Sequence, residues 1–185
     1  MIKRVESWRP EEMPDLFRVQ ILAYMREEWP EGFVGDNLTR NWIHPSHDHP
    51  RHFVGLLSDE VVAAHASALW REFTGYGERW KIGGLSGVFA YRHLQGKGWG
   101  KAVVEQATLY LHTLPLDAAL FCTENETVPF YEKLGWELLP GSPLSKGDPP
   151  ELEKGATLFR PLGPRGGELK KHLLASPLHF GNYTW

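Results

Sequence analysis

Three glycines in five residues, within Gln95-Gly96-Lys97-Gly98-Trp99-Gly100-Lys101, separate a β-rich run from a helical one. Ahead of them, residues 79–90 read as a strand; after them, Val103, Ala107, Tyr110, Leu111 and Leu114 form one apolar stripe at helical spacing. A strand that enters a glycine turn and leaves as a helix aims unpaired backbone N–H groups out of the positive helix end, which makes an anion site. Glycine at these points lets the backbone approach a phosphate with no Cβ between them. The rest of the chain must supply neighbours for that strand and cover for that helix.

The flanking sequence does so. Residues 2–8 alternate weakly and predict an opening strand. Pro10, Glu11 and Glu12 predict the first turn of a helix running to Glu28, with Met13, Phe17, Gln20 or Ile21, and Tyr24 on one face and Pro30 and Gly32 as its stop. Residues 33–51 predict a loop with at most one short helix near 36–43. Strands at 52–57 and 61–69 flank Ser58-Asp59-Glu60 as a hairpin, and Thr74-Gly75-Tyr76-Gly77-Glu78 turns the chain into the strand that precedes the glycines. Downstream come a buried strand at 118–122, a short helix at 127–134 closed by Gly135, a strand opened by Trp136, a loop at 140–153, a strand at 156–162, a helix at 168–175 and an aromatic tail. Strands on both sides of a central glycine turn and helix predict an α/β or α+β layered domain.

Length and charge narrow the function. The 185 residues suit a single domain, 1–185, with a core at about 2–162 and a tail at 163–185. A net charge of -3 with no like-charge block excludes a general polyanion binder, so no nucleic acid partner is expected. Cys122, the one cysteine, cannot form an internal disulfide, which fits a reducing compartment. Uncharged stretches such as 82–91 fall far short of the roughly 20 residues that a membrane span needs, so a soluble, cytoplasmic chain without a membrane partner is expected. His44, His47, His49 and His52 lie close together, but prolines interleave them and no HExxH helix or cysteine pair accompanies them. A solvated loop is the reading, and no metal is expected.

Three phosphate motifs compete for the glycine turn. A Walker loop needs Ser or Thr after Gly100-Lys101, where the chain has Ala102. A dinucleotide fingerprint needs glycine at position 101, and Asp117 precedes the next strand instead of ending it. The pattern Gln/Arg-x-x-Gly-x-Gly/Ala fits as Gln95-x-x-Gly98-x-Gly100. With it, the chain resembles the GNAT superfamily of N-acetyltransferases. The resemblance extends to Val128-Pro129-Phe130-Tyr131-Glu132-Lys133-Leu134-Gly135-Trp136, similar to the superfamily's tyrosine-bearing helix, and to the order of elements over about 2–162.

The resemblance implies a mixed, mostly antiparallel central sheet splayed at the strand before the glycine loop and flanked by helices on both faces. It implies acetyl-CoA as co-substrate, held by Val88, Phe89 and Ala90 and by the loop Gln95, Gly96, Lys97, Gly98, Trp99, Gly100 and Lys101. A backbone N–H near Val88 is the implied oxyanion donor, and Tyr131 the implied general acid for the departing thiolate. The acceptor is a primary amine of a small molecule, and a homodimer is admitted. A non-catalytic acyl-CoA-binding sensor is the alternative.

Within the superfamily the chain looks most like the aminoglycoside 2'-N-acetyltransferase group. The likeness lies in residues 35–44, in Val62-Ala63-Ala64-His65-Ala66, in the acidic loop before Gly155 and in Trp185. That implies Asp36, Glu151 or Glu153, and the Trp185 carboxylate as acceptor contacts, with the tail near the acceptor site. Asn41 stands where that group has a second acid, and Ser86 where it has a glutamate proposed as base. Losing two carboxylates removes attraction for a polycation and the best base together, so a less cationic amine is expected.

Overall fold

The computed structural model describes residues 3–58 and 60–185. The chain packs as two compact units, one of residues up to Leu69 with Ser86–Thr108, the other of Trp70–Leu85 with Leu109–Trp185.

The first unit contains β1 (Arg4–Trp8), α1 (Asp15–Glu28), β2 (Arg51–Leu56), and parts of β3 (Val62–Gly75), β4 (Glu78–Ala90) and α2 (Trp99–His112), which continue into the second. β2 pairs antiparallel with β1, Trp8 facing His52, and antiparallel with β3, where His52 faces Ser67 and Val54 faces His65. Nearly every residue of β2 and of the first half of β3 is buried, the run expected of a strand covered on both faces. Helix α1 starts later than the acids at 11 and 12 suggest. The N–H groups of Glu12 and Met13 both close onto the Arg9 carbonyl as a turn, and Pro14 disfavours a helical Met13, so the helix opens at Asp15. Its Phe17, Ile21, Tyr24 and Met25 pack with Val54, Leu56, Val62 and Phe89. Each such apolar side chain contributes roughly 1.5–3 kcal/mol by leaving water. No α-helix forms at 36–43; Gly35, at φ +56, interrupts the backbone, and the segment makes single 3-10 turns at Pro30–Phe33, Gly35–Asn37 and Ser46–Asp48. Of the first predicted strand, Ile2 lies outside the described residues, as does Asp59 of the predicted hairpin turn.

In the second unit Tyr76 and Gly77, both left-handed at φ 56 and 78, form the two-residue turn from β3 to β4, the type I′ signature. There follow β5 (Ala118–Thr123), α3 (Val128–Glu132), β6 (Glu137–Leu139), β7 (Leu144–Lys146), β8 (Glu151–Leu152), β9 (Ala156–Pro161), α4 (Gly166–Ala175) and β10 (Leu178–His179). β4 pairs with β5 in parallel at Ile82–Ala118 and Gly83–Ala119, and β9 lies antiparallel between β5 and β6. The predicted loop at 140–153 instead carries β7 and β8, and β10 of the tail pairs with β7. The tail is inserted, not loose. Trp185 is 7% exposed, its carbonyl accepts the Cys122 N–H at 2.7 Å, and its ring lies against Gly84 and edge-on to Phe180.

The fold is therefore a mixed α/β one with a mostly antiparallel multi-stranded sheet and helices. No helix among the described residues is long and apolar enough to cross a membrane.

Candidate active site

The carboxyl end of β4 and the start of α2 both belong to the first unit. Gly87 has φ +56, so the strand bends at Gly87-Val88 before Phe89 and Ala90. Phe89 stacks on Tyr24 at 4.0 Å between ring centroids, and the Ala90 carbonyl accepts from the Tyr24 hydroxyl and from the Gln95 amide. Gln95 therefore braces the strand end onto the turn. One turn of 3-10 helix, Arg92–Leu94, leads into Gly96 at φ +72 and Gly98 at φ +79, both conformations that favour glycine. Nothing lies within 4 Å of where a Gly96 Cβ would stand. The ladder of α2 opens with Ala102 N–H on the Gly98 carbonyl, so the amides of Trp99, Gly100 and Lys101 are the donors a helix start leaves over. The Trp99 ring packs on Gly55 of β2, fixing the turn to the sheet, and Lys3 adds its ammonium 5.6 Å from that ring. Lys97 and Lys101 are exposed at the same turn.

Behind Gly87 stands a group of histidines that sequence reading assembled incorrectly. Of the loop set, His47 and His49 are exposed, whereas His52 enters β2 at 1% exposure beside His65 and Ser67 of β3, both at 0%. His65 Nδ1 lies 2.7 Å from the Gly87 carbonyl oxygen. A carbonyl only accepts, so Nδ1 carries the proton and neutral His65 accepts at Nε2. Ser67 Oγ is 3.2 Å from that Nε2 and 2.8 Å from His52 Nδ1. The wiring that satisfies all of them runs His52 Nδ1–H to Ser67 Oγ, Ser67 O–H to His65 Nε2, and His65 Nδ1–H to Gly87. His52 Nε2 is then a lone pair. His44 is parallel to His52 at 6.1 Å, and its buried Nε2, 3.4 Å from where a Gly87 Cβ would stand, has no hydrogen-bond partner among the described residues. Burial, helped by His65 and Arg40, lowers His44 to about 3. Burial lowers His65 to about 4 against the opposing Gly87 bond, and burial with its two histidine neighbours holds His52 well below the ordinary value. All three are neutral at pH 7. The signal for this group was the β2–β3 register, which only the pairing of the two strands reveals.

A cavity of about 90 Å³ opens beside His44 and His52, with Pro10, Met13, Arg18, Asn41, Trp42 and Ile43 as its other walls. Asn41, where an acid was missed in the sequence, is thus a wall residue. Asp36 lies on the exposed 3-10 turn Gly35–Asn37, and Ser86, half-buried, precedes Gly87.

The remaining expected residues sit in the second unit. Tyr131 is 5% exposed on α3, edge-on to Phe121 at 4.9 Å, and burial raises its phenol well above the ordinary value. Glu153 bonds Lys146 at 2.7 Å and the Thr184 hydroxyl at 2.6 Å, which brings it to the residue before Trp185. Burial alone would raise Glu153, but Lys146, Thr184 and the Gly155 amide hold it down at about 2. Glu151 is exposed on β8.

A bent strand that ends in a glycine turn, with unspent amides and lysines at the helix start, is an arrangement able to receive an anion. The chain belongs to the acetyltransferase (GNAT) domain family, whose model matches residues 4–139. It is similar in fold to a GNAT-family acetyltransferase from Staphylococcus aureus, with TM-score 0.59 and 9% identity over 86% of this chain and 100% of that one. A conserved protein from Enterococcus faecalis aligns at TM-score 0.50 and 22% identity over 75% of this chain, which spans only 33% of that longer chain. A mutant of the AtaT toxin, bound to the C-terminus of the antitoxin AtaR and acetyl-CoA, aligns at TM-score 0.55 and 15% identity over 86% and 93%. No curated protein matches the chain.

Proposed function

We propose that the chain is an acetyl-CoA-dependent N-acetyltransferase acting on a primary amine of a small molecule. The observation that carries the reading is the bend at Gly87-Val88 continuing into a turn whose helix opens with three uncommitted amides. The first would present the Val88 N–H to a thioester carbonyl, worth roughly 3 kcal/mol as the oxyanion develops. The second, with Lys97 and Lys101, fits a pyrophosphate, and Gly96 and Gly98 leave it unobstructed. Tyr131 is the proposed proton donor to the departing thiolate. Its burial favours the protonated phenol, the form a donor needs.

The acceptor side supports an amine of low charge over a polycationic aminosugar of the kind the 2'-N-acetyltransferase resemblance implied. The described walls of the cavity include Arg18 and no carboxylate, and Pro10, Met13, Trp42 and Ile43 give it an apolar lining. Glu153, the acid matched to the aminosugar contacts, is already committed to Lys146 and Thr184. A thiol-release assay with acetyl-CoA over a panel of primary amines, from aralkyl monoamines to aminoglycosides, tests the reading. Turnover highest on monoamines is the expected result. Tight CoA binding with no turnover on any amine would overturn it in favour of an acyl-CoA-binding module.

A further inference from the structure

We infer that the buried line His52–Ser67–His65 is a proton relay that takes the acceptor's proton and delivers positive charge to the Gly87–Val88 peptide. The inference rests on the acetyltransferase reading and names the base that the sequence left open.

Three observations carry it. First, the wiring is directional. Because Gly87 can only accept, His65 carries its proton on Nδ1, and the wiring that also gives His65 Nε2 a donor leaves His52 with its lone pair on Nε2. Second, His52 is a cavity wall, and its Nδ1 edge is occupied inward by Ser67, so the edge left for the cavity is the one that carries Nε2. Third, the far end of the line is the carbonyl of one particular peptide, and the N–H of that same peptide belongs to Val88. A donor on the oxygen of an amide polarises its N–H, and a charged donor does so more strongly.

The step balances. An N–H bond of the acceptor ammonium breaks and the proton goes to His52 Nε2, while the His52 Nδ1 proton passes to Ser67 and the Ser67 proton to His65 Nε2. His65 becomes an imidazolium that still donates to Gly87. The freed amine pair attacks the acetyl carbon, the developing oxyanion meets a Val88 N–H now polarised by a cation, and the C–S bond breaks. The second N–H proton, shed as the amide forms, matches the one given to the thiolate, and the relay returns its proton to solvent. One proton is released per acetyl group transferred. The charge on the relay thus rises as the negative charge on the substrate oxygen appears.

The groups facing His52 are His44 from the preceding loop, His65 and Ser67 from β3, and Arg18 of α1 across the cavity, with Arg40 acting on His44. All are neutral or cationic. They keep the resting relay unprotonated and so ready to take the acceptor's proton.

The relay predicts an unusual tautomer state: both His52 and His65 protonated at Nδ1 rather than Nε2. Nitrogen-15 histidine spectra of the intact protein at pH 7 read this directly, and an Nε2–H on either residue would overturn the relay. Kinetics with acetyl-CoA and the best amine of the panel supply the second arm. In the wild type, kcat/KM should stay level as pH falls below the amine's own pKa. In His52→Gln it should fall about tenfold per pH unit there, drop about 10²-fold or more at pH 7, and recover above the amine's pKa, with CoA affinity unchanged. Ser67→Ala, which leaves both imidazoles in place, should show the same slope with a smaller loss. A variant profile parallel to wild type at every pH would sink the relay and leave the acetyltransferase standing. No wild-type turnover on any amine would sink the acetyltransferase reading, and the base with it, whatever the tautomers.

Discussion

His65 Nδ1 donates to the carbonyl oxygen of Gly87 across 2.7 Å, and through that bond β3 braces the bend of β4, its partner in the same hairpin. Gly87 sits at φ +56, a conformation that favours glycine, and its carbonyl takes its bond from the His65 side chain. His65 supplies it from a site with no solvent access. The bend, and with it the orientation of the Val88 N–H, is therefore set by a side chain on β3.

Replacing His65 with leucine keeps the volume and removes the donor. It leaves the Gly87 carbonyl and the Ser67 hydroxyl short of partners in a buried setting, a loss of about 1–3 kcal/mol. Urea unfolding of His65→Leu should show that loss with an unchanged m-value. An unaffected midpoint would mean that the bend holds itself.

Acid should unfold the protein earlier than its carboxylates require. His44 and His65 titrate at about 3 and about 4 in the folded chain, and His52 well below the ordinary value, against about 6.5 unfolded. The unfolded state thus binds more protons between these limits. Stability is full above pH 6.5 and falls as pH drops from there toward 4, by up to about 1.4 kcal/mol per pH unit for each histidine. Denaturation midpoints measured at pH 7.5, 6 and 5 should decline steeply, and less so in His65→Leu.

The central strand, the glycine turn and α2 were legible because a change of hydrophobic period brackets three glycines, and both are local signals. The buried histidine line was not. His44, His47, His49 and His52 look like one group in sequence, yet strand pairing divides them and recruits His65 and Ser67 from thirteen and fifteen positions beyond His52. The 140–153 region read as a loop because β7 and β8 are three and two residues long, too short for any periodicity to show. The start of α1 was misplaced because two acids after Pro10 outweighed the second proline, Pro14, whose ring decides where the helix can begin.

At the turn, Gly98→Ala forces a side chain into φ +79, at a cost of roughly 1–2 kcal/mol. The added Cβ also stands 3.3 Å from the Lys3 ammonium. CoA titrated calorimetrically should bind several-fold more weakly to this variant. Equal affinity would remove the turn from the phosphate site.

In the second unit, Glu153 is held at about 2 by Lys146, Thr184 and Gly155 in spite of its burial. A depressed carboxylate adds stability above its unfolded value of about 4.5, and that stability is lost as pH falls toward 2. Lys146→Met should lower stability at pH 7 and flatten the acid limb below pH 4.5. If the limb keeps its slope, the Thr184 and Gly155 bonds alone hold the charge.

The terminal tryptophan makes the sharpest packing prediction. β4 and β5 stop pairing at Gly83–Ala119, and the next residue, Gly84, has the Leu120 carbonyl oxygen and Trp185 Cε3 each 2.4 Å from where a Cβ would stand. Gly84→Ala therefore collides with a ring on one side and fixed backbone on the other, and should destabilise by about 3 kcal/mol, the upper end of overpacking costs. Removing the ring as well, in Gly84→Ala with Trp185→Ala, relieves only the ring. The backbone clash persists, and the lost ring adds its own roughly 3–5 kcal/mol. The double variant should thus be less stable than either single one in thermal unfolding. A double variant more stable than Gly84→Ala would show that the ring, not the Leu120 carbonyl, excludes a side chain at position 84.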